Sequence, residues 1–379
     1  MSGSSEAEAA TASRLAAALH GSADALWFRA PGRVNLIGDH TDYNDGFVLP
    51  LAIDRGCTLA ASPATAVRVR SLDVGGTVEL PADGSADPAA VEPGWGRYVA
   101  GVVRELAERG RPSAGMDAVV ASDVPIGSGL SSSAAFEVAC AVALADFAGW
   151  NPDPVELAQA CRDAEAAAVG VPCGIMDPLA SIGGRAGSAL LIDCRSLQVT
   201  PVPLAGRLAV LVVHSGIPRS LDASAYAERR RACEGLAARL GLSALRDATL
   251  ELVSDEPLGR HVVSENERVL AAARALADAD LETLGRLLGE SHASLRDDFG
   301  VSTYELDVLV EELVAAGALG ARLTGAGFGG CVVAACDSKA VDTVAVTAAD
   351  GYRRRTSLEP TAFVCRAVEG ARRVDPPAS

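Results

Sequence analysis

Short apolar runs bounded by glycine or proline alternate along the chain with longer alanine-rich segments, the pattern of strands interleaved with helices. Glu6 to Leu19 is alanine-rich and predicts a helix, and Leu26 to Ala30 predicts a strand that Pro31-Gly32 breaks. Leu51 to Arg70 alternates apolar and polar residues as antiparallel strands do, and Pro81 to Gly96, with its Gly, Pro and Asp, predicts a loop. Asp117 to Ser122 is a short strand pattern, Phe136 to Phe147 and Pro154 to Val169 are helix patterns, and Leu208 to Val213 is a continuous apolar run that predicts a buried strand. His214 to Asp222 then reads as a loop, Ala223 to Leu240 as a helix with a charged, solvated face, and several helices follow up to Gly317. Ala362 to Ala371 predicts a closing strand and turn, and Arg372 to Ser379 a loose end.

One stretch stands out where a strand passes into a helix: Pro125 to Ala135, reading Pro-Ile-Gly-Ser-Gly-Leu-Ser-Ser-Ser-Ala-Ala. Gly127 and Gly129 permit positive φ and close approach of a ligand to the backbone. Ser131, Ser132 and Ser133 offer hydroxyls and can cap the helix that follows. The free N–H groups and dipole of a helix N-terminus favour an anion, so the stretch is built to cradle phosphate. No Gly-Lys-Ser/Thr closes it, which excludes a Walker P-loop; read without context, it is equally a glycine turn with a serine cap.

Composition narrows the choice of partner. The 379 residues hold 33 basic and 49 acidic side chains, a net charge of −16, which argues against a nucleic-acid or anionic-membrane binder. Lys339 is the sole lysine, far from the glycine-rich stretches, so cationic help for a phosphate must come from arginine, a metal or a helix end. Nine scattered cysteines form no Cys-x-x-Cys pair, which removes zinc-ribbon and thioredoxin chemistry, and their odd number suits free thiols in a reducing cytoplasm. The N-terminus lacks a secretory h-region and no uncharged apolar run is long enough to span a membrane, so a cytoplasmic protein is expected.

A second dense stretch is Arg33-Val-Asn-Leu-Ile-Gly-Asp-His-Thr-Asp-Tyr-Asn-Asp-Gly46, whose arginine, histidine and carboxylates suit a polyhydroxylated ligand wanting donors and acceptors together. Asn44 to Gly46 is by itself good turn chemistry. Asp177 stands at a predicted helix start before Pro178 and reads, on spacing alone, as an N-cap. Gly325 to Gly330 fits Gly-x-Gly-x-x-Gly, but the apolar Cys331-Val-Val-Ala-Ala-Cys that follows is β-like, so a glycine loop between two strands is expected rather than a dinucleotide fold.

Gly32-Arg-Val-Asn-Leu-Ile-Gly-Asp-His-Thr-Asp-Tyr-Asn44 resembles the galactokinase signature. The serine loop resembles the second motif of the GHMP kinases, and Gly320 to Ala335 the third, in the family's order. The resemblance implies an α/β (α+β) fold of two domains, 1–205 and 206–379, with the active site in the cleft between them. It implies an ATP-dependent sugar 1-kinase acting on galactose, with ATP and Mg2+ as cofactors. Asp177 is then the catalytic base and Arg33 its partner, also steadying the transferring phosphoryl group. Arg33, Asp39, His40, Asp42, Gly174, Asp177 and Tyr226 contact the sugar, with Asp39 and His40 at the 6-hydroxyl, Asp42 at the 3- and 4-hydroxyls and Tyr226 at the 4-hydroxyl. Trp95 and Tyr98 border the adenine, and Pro125, Gly127, Ser128, Gly129, Leu130, Ser131, Ser132, Ser133 and Ala134 hold the phosphates. Ser132 and Glu165 hold magnesium. Glu290 to Ser302, with Ser291 and His292, is expected to support the site rather than enter it.

Two departures stand in the chain: Asp39 where the family usually has glutamate, and Pro178 where it often has glutamine. The shorter Asp39 keeps arabinose, galacturonate and N-acetylgalactosamine open as alternative sugars. A non-catalytic galactose- and ATP-binding sensor is a further reading, disfavoured because the serine loop and Asp177 are whole. The sequence points to no nucleic-acid or membrane partner and to a monomer or weak homo-oligomer.

Overall fold

A computed structural model describes residues 3–19, 25–125, 127–171, 173–217 and 223–376. Ile126 of the serine loop, Pro172, residues 218–222 of the expected loop before Tyr226, and the last three residues lie outside them. In chain order the elements are α1 (Gly3–Ala18), β1 (Leu26–Asn35), β2 (Phe47–Val48), β3 (Pro50–Ala64), β4 (Ala66–Ser71), β5 (Thr77–Pro81), α2 (Gly96–Glu108) and β6 (Gly115–Ser122). Then come α3 (Ser132–Phe147), α4 (Pro154–Val169), α5 (Met176–Gly183), β7 (Ser188–Asp193), β8 (Gln198–Pro203) and β9 (Leu208–His214). The chain continues through α6 (Ala223–Arg239), α7 (Pro257–Ala277), α8 (Leu281–Asp297), α9 (Tyr304–Ala315), β10 (Gly320–Thr324), β11 (Cys331–Asp337), α10 (Val341–Thr356), β12 (Thr361–Cys365) and β13 (Arg372–Val374).

The first half builds a sheet in the order β13-β1-β3-β6-β4-β5. Its two faces follow the strand period of two. Phe28, Leu59, Ala61, Ala118 and Val120 pack on one side against α2, α3 and α4, while Trp27, Ala60, Val119 and Ala121 pack on the other with Leu15 of α1. Residues 51–70 were expected as antiparallel strands; β3 is antiparallel to both β1 and β6, whereas β4 joins β6 in parallel. β1 was expected to break at Pro31-Gly32, yet it runs on to Asn35. The pairing with β3 shifts register between Pro31 and Arg33, and such irregularities are where a strand tolerates proline. The end expected to be loose supplies β13, an edge strand on β1 from the far end of the chain.

The second sheet, β10-β11-β9-β12, is antiparallel. β9 is apolar from Leu208 to Val213 because both its faces are covered: Leu211 and Val213 face the cluster with α9 and α10, and Val210 and Val212 face one shared with α7, α8 and the Leu49–Leu51 segment of the first half. That shared cluster joins the halves, and the site lies beside it. A three-stranded sheet, β2-β7-β8, packs on α5. The glycine-rich segment 325–330 connects β10 to β11 as a hairpin, as its β-like flanks predicted.

Candidate active site

β1, the loop after it, the serine loop and the start of α5 converge on one cleft of about 630 Å3. Arg33, near the end of β1, is 5% exposed. Its backbone N–H donates to the carbonyl of Leu130 at 3.1 Å, and its Nη1 donates to the carbonyl of Gly129 at 2.6 Å, so strand and serine loop are stitched together. The other edge of the guanidinium makes a two-bond fork onto Asp177, Nε to Oδ1 at 2.7 Å and Nη2 to Oδ2 at 2.8 Å. The Ser131 hydroxyl donates to Oδ2 of the same carboxylate. Asp177 keeps a quarter of its side chain open to the cleft.

Two helix starts differ from expectation. Ser131 occupies the cap position of α3 in the left-handed region (φ 59°), and its hydroxyl does not cap the helix because it is turned onto Asp177. Asp177 is not an N-cap: α5 begins at Met176 after Ile175, and Asp177 and Pro178 fall in its first turn, where no intrahelical donor is required. The carboxylate is thereby free to meet Arg33.

In the serine loop Gly127 and Gly129 take positive φ, 74° and 80°, and line the cleft with Ser131, Ser132 and Ser133. Pro125, Ser128, Leu130 and Ala134 are not in the lining. Ser128 is buried with its hydroxyl on the Pro125 carbonyl at 2.7 Å, and Leu130 and Ala134 point into the core, so these four shape the loop. The hydroxyl that touches Glu165 is that of Ser133, at 2.7 Å, rather than that of Ser132. Burial first, and the charge of Asp177 second, raise the Glu165 carboxyl above its ordinary range. Behind it the fully buried Glu137 is pushed up further, by burial and then by Glu165. Glu165 and Asp177 both line the cleft beside the serine loop, and Arg33 is bound to Asp177. A set of oxygen donors alone, carboxylate and serine hydroxyl, matches the preferences of magnesium.

On the side of the loop after β1, Asp42 sits so close to Gly174 that a Cβ there would lie 1.5 Å from its Oδ2 and would displace that carboxylate. Burial, then the charge of Asp177, raises the Asp42 carboxyl to about 6. His40 takes φ 65° and pairs through Nδ1 with the Tyr43 hydroxyl at 2.9 Å, and the Tyr226 ring lies edge-on to Tyr43 at 5.4 Å. Asp39 also lines the cleft, but one oxygen is held by Arg322 and the other accepts from the Gly325 N–H at 3.1 Å. Trp95 and Tyr98 line the far end, where Trp95 meets Phe136 edge-on at 6.0 Å. Phe136, Ser71 and Asp73 were missed as lining residues: one lies in an alanine-rich helix and two in a strand and its turn, without a local pattern to mark them. Ser291 donates to the buried Glu265 at 2.6 Å and His292 lies 3.1 Å from Asp307; neither lines the cleft.

Three family models match the chain: the galactokinase galactose-binding signature over residues 17–63, the GHMP kinase N-terminal domain over 97–185 and the GHMP kinase C-terminal domain over 272–353. The galactokinase of Roseiflexus sp. is 47% identical, with 91% of this chain and 92% of the relative covered. That of Haemophilus influenzae is 41% identical, with 90% and 93% covered. The crystal structure of Lactococcus lactis galactokinase complexed with galactose superposes with a TM-score of 0.88 at 32% identity, covering 96% of this chain and 99% of that one. Methanococcus jannaschii mevalonate kinase, at 18% identity and a TM-score of 0.67, shares the fold. With the three motifs assembled on one cleft in a two-domain GHMP kinase fold, the chain belongs to the galactokinase family.

Proposed function

We propose that the protein transfers the γ-phosphoryl group of ATP to the anomeric hydroxyl of D-galactose, giving galactose 1-phosphate and ADP. The observation that carries this reading is the Arg33–Asp177–Ser131 constellation, which joins the sugar loop to the phosphate loop at one carboxylate. The sugar lies between the 33–42 loop, Gly174 and Tyr226; the adenine lies between Trp95 and Tyr98; the phosphates lie on the 127–133 backbone and the N-terminus of α3. Asp177 accepts the proton of the anomeric hydroxyl as its oxygen bonds to the γ-phosphorus and the bond to the β-phosphate oxygen breaks. Arg33 fixes the orientation of that carboxylate and meets charge on the transferring group. Glu165, with the hydroxyls of Ser132 and Ser133, would hold Mg2+, which neutralises phosphate charge when bound.

The test is to supply ATP with a panel of sugars and follow ADP. Galactose should turn over faster than arabinose, galacturonate or N-acetylgalactosamine. A different sugar in first place would move the substrate assignment, and ADP formation with none of them would overturn the kinase reading.

Asp42 adds a pH dependence. With its carboxyl raised to about 6, the group is ionised at neutral pH and gains a proton as the pH falls through that value. The ionised form accepts from two sugar hydroxyls, whereas the neutral form spends one oxygen as a donor. The KM for galactose should therefore rise as pH is lowered below about 6 while the KM for ATP stays level. Asp42→Asn should show a raised galactose KM without this acid limb; a limb unchanged in the variant would assign it to another group.

A further inference from the structure

The loop that carries His40 and Asp42 springs from the first sheet, but side chains of the second half of the chain hold it in place. Arg322, on β10, is 0% exposed. Its Nη1 donates to the carbonyls of Leu36 at 3.1 Å and Asn35 at 3.4 Å, and its Nη2 forms an ion pair with Asp39 at 2.5 Å. Two positions along the strand, the Thr324 hydroxyl donates to the same Asn35 carbonyl at 2.9 Å. The Gly325 N–H takes the remaining Asp39 oxygen. From α7, Nε2 of His261 lies 3.1 Å from the Asp39 carbonyl; since a carbonyl only accepts, that nitrogen carries the proton and Nδ1 accepts from Ser294. Glu265 accepts from the Gly38 N–H at 2.9 Å and is itself ion-paired with Arg268 at 2.7 Å.

Arg322 is the member of this set that reaches Asn35, Leu36 and Asp39 from one buried point. A planar guanidinium can serve two carbonyls and a carboxylate at once, which a lysine ammonium cannot do with the same geometry. The acceptors it holds end one residue before His40 and three before Asp42. The Asp39 side chain is drawn between Arg322 and Gly325, so its first task is internal to the protein.

We propose that Arg322 is a positioning residue for sugar recognition, bracing the 35–39 backbone so that His40 and Asp42 meet the sugar from fixed places. This rests on the reading that the 33–42 loop faces the sugar. Among the described residues Arg322 makes no hydrogen bond or ion pair to Arg33, Asp177 or the serine loop, so its loss should appear in sugar binding and leave nucleotide binding alone.

The experiment compares Arg322→Met, Arg322→Lys and Thr324→Val with the wild-type chain for KM of galactose, KM of ATP, kcat and melting temperature, with Asp42→Asn alongside. Arg322→Met is expected to raise the galactose KM by about tenfold or more with the ATP KM within about twofold, Arg322→Lys to recover part of the loss, and Thr324→Val to show a smaller rise of the same kind. A folded Arg322→Met with unchanged galactose KM, or with both KM values raised in step, overturns the proposal. If Arg322→Met does not fold, Arg322→Lys and Thr324→Val decide in the same way: a rise confined to galactose supports it and no rise overturns it. Asp42→Asn separates the two readings. A normal galactose KM in that variant would sink the sugar-loop assignment, whereas a raised one beside normal Arg322 variants would sink the brace alone.

Discussion

Asp177→Asn should lower kcat by about 10²–10⁴-fold, the range a positioned general base supplies. Asparagine keeps the size of the side chain and one oxygen for Arg33, but its amide cannot take the proton of the sugar hydroxyl. Its NH2 also replaces an oxygen that now accepts from Arg33 or Ser131, so the fork at 2.7 and 2.8 Å becomes a single bond. Losing one charge-assisted bond costs about 1–3 kcal/mol where the group is buried. Here the cost falls towards the lower end, because a quarter of Asp177 is open to the cleft and water can take the vacated place. The variant should accordingly stay folded, and titration calorimetry should find galactose and ATP binding largely intact. Turnover is read as ADP release. A rate within tenfold of wild type would show that the carboxylate orients the hydroxyl without accepting its proton; a loss of galactose binding equal to the loss of rate would place Asp177 in ground-state binding instead.

What the sequence disclosed depends on the distance over which each feature is encoded. The helices from Pro154 and Ala223, the buried strand β9 and the hairpin around the third glycine stretch are each set by neighbours within a turn or a ladder, and their periodicity declares them. The serine loop announced a phosphate cradle through glycines at positions that do take positive φ. What local pattern misread or left out needed a tertiary partner. Ser131 looks like a cap until Asp177, 46 positions away, claims its hydroxyl. Asp177 looks like an N-cap until Arg33, 144 positions away, claims the carboxylate. Pro31 breaks a strand in isolation, whereas here the register shift against β3 absorbs it. Asp39 lines the cleft, and the Arg322 that also engages it lies 283 positions on, in β10, out of reach of any local pattern. Ser132 and Ser133 differ by one step on a helix, and only the approach of α4 shows which hydroxyl meets Glu165.

Arg33→Ala should cost on the order of 10²–10³-fold in kcat/KM, comparable to removing one preorganised donor from a developing charge. The residue serves two partners at once. One edge of the guanidinium fixes both oxygens of Asp177, and Nη1 fixes the Gly129 carbonyl of the phosphate loop at 2.6 Å. Alanine would leave the carboxylate without its cation and the loop carbonyl without its donor, so the base and the phosphate cradle would lose their common reference point. Arg33→Lys tests which property matters. An ammonium group restores the charge and can approach Asp177, but it lacks the planar fork and cannot hold both carboxylate oxygens and the Gly129 carbonyl in one plane. Arg33→Lys is therefore expected to recover no more than about a tenth of wild-type kcat/KM. The melting temperatures of both variants should be followed with the kinetics, since a 5% exposed side chain also contributes to stability. Full activity in a folded Arg33→Lys enzyme would mean that a positive charge near Asp177 suffices and that the fork geometry is incidental; recovery of the ATP KM without recovery of kcat would assign the fork to the carboxylate and the charge to the phosphates.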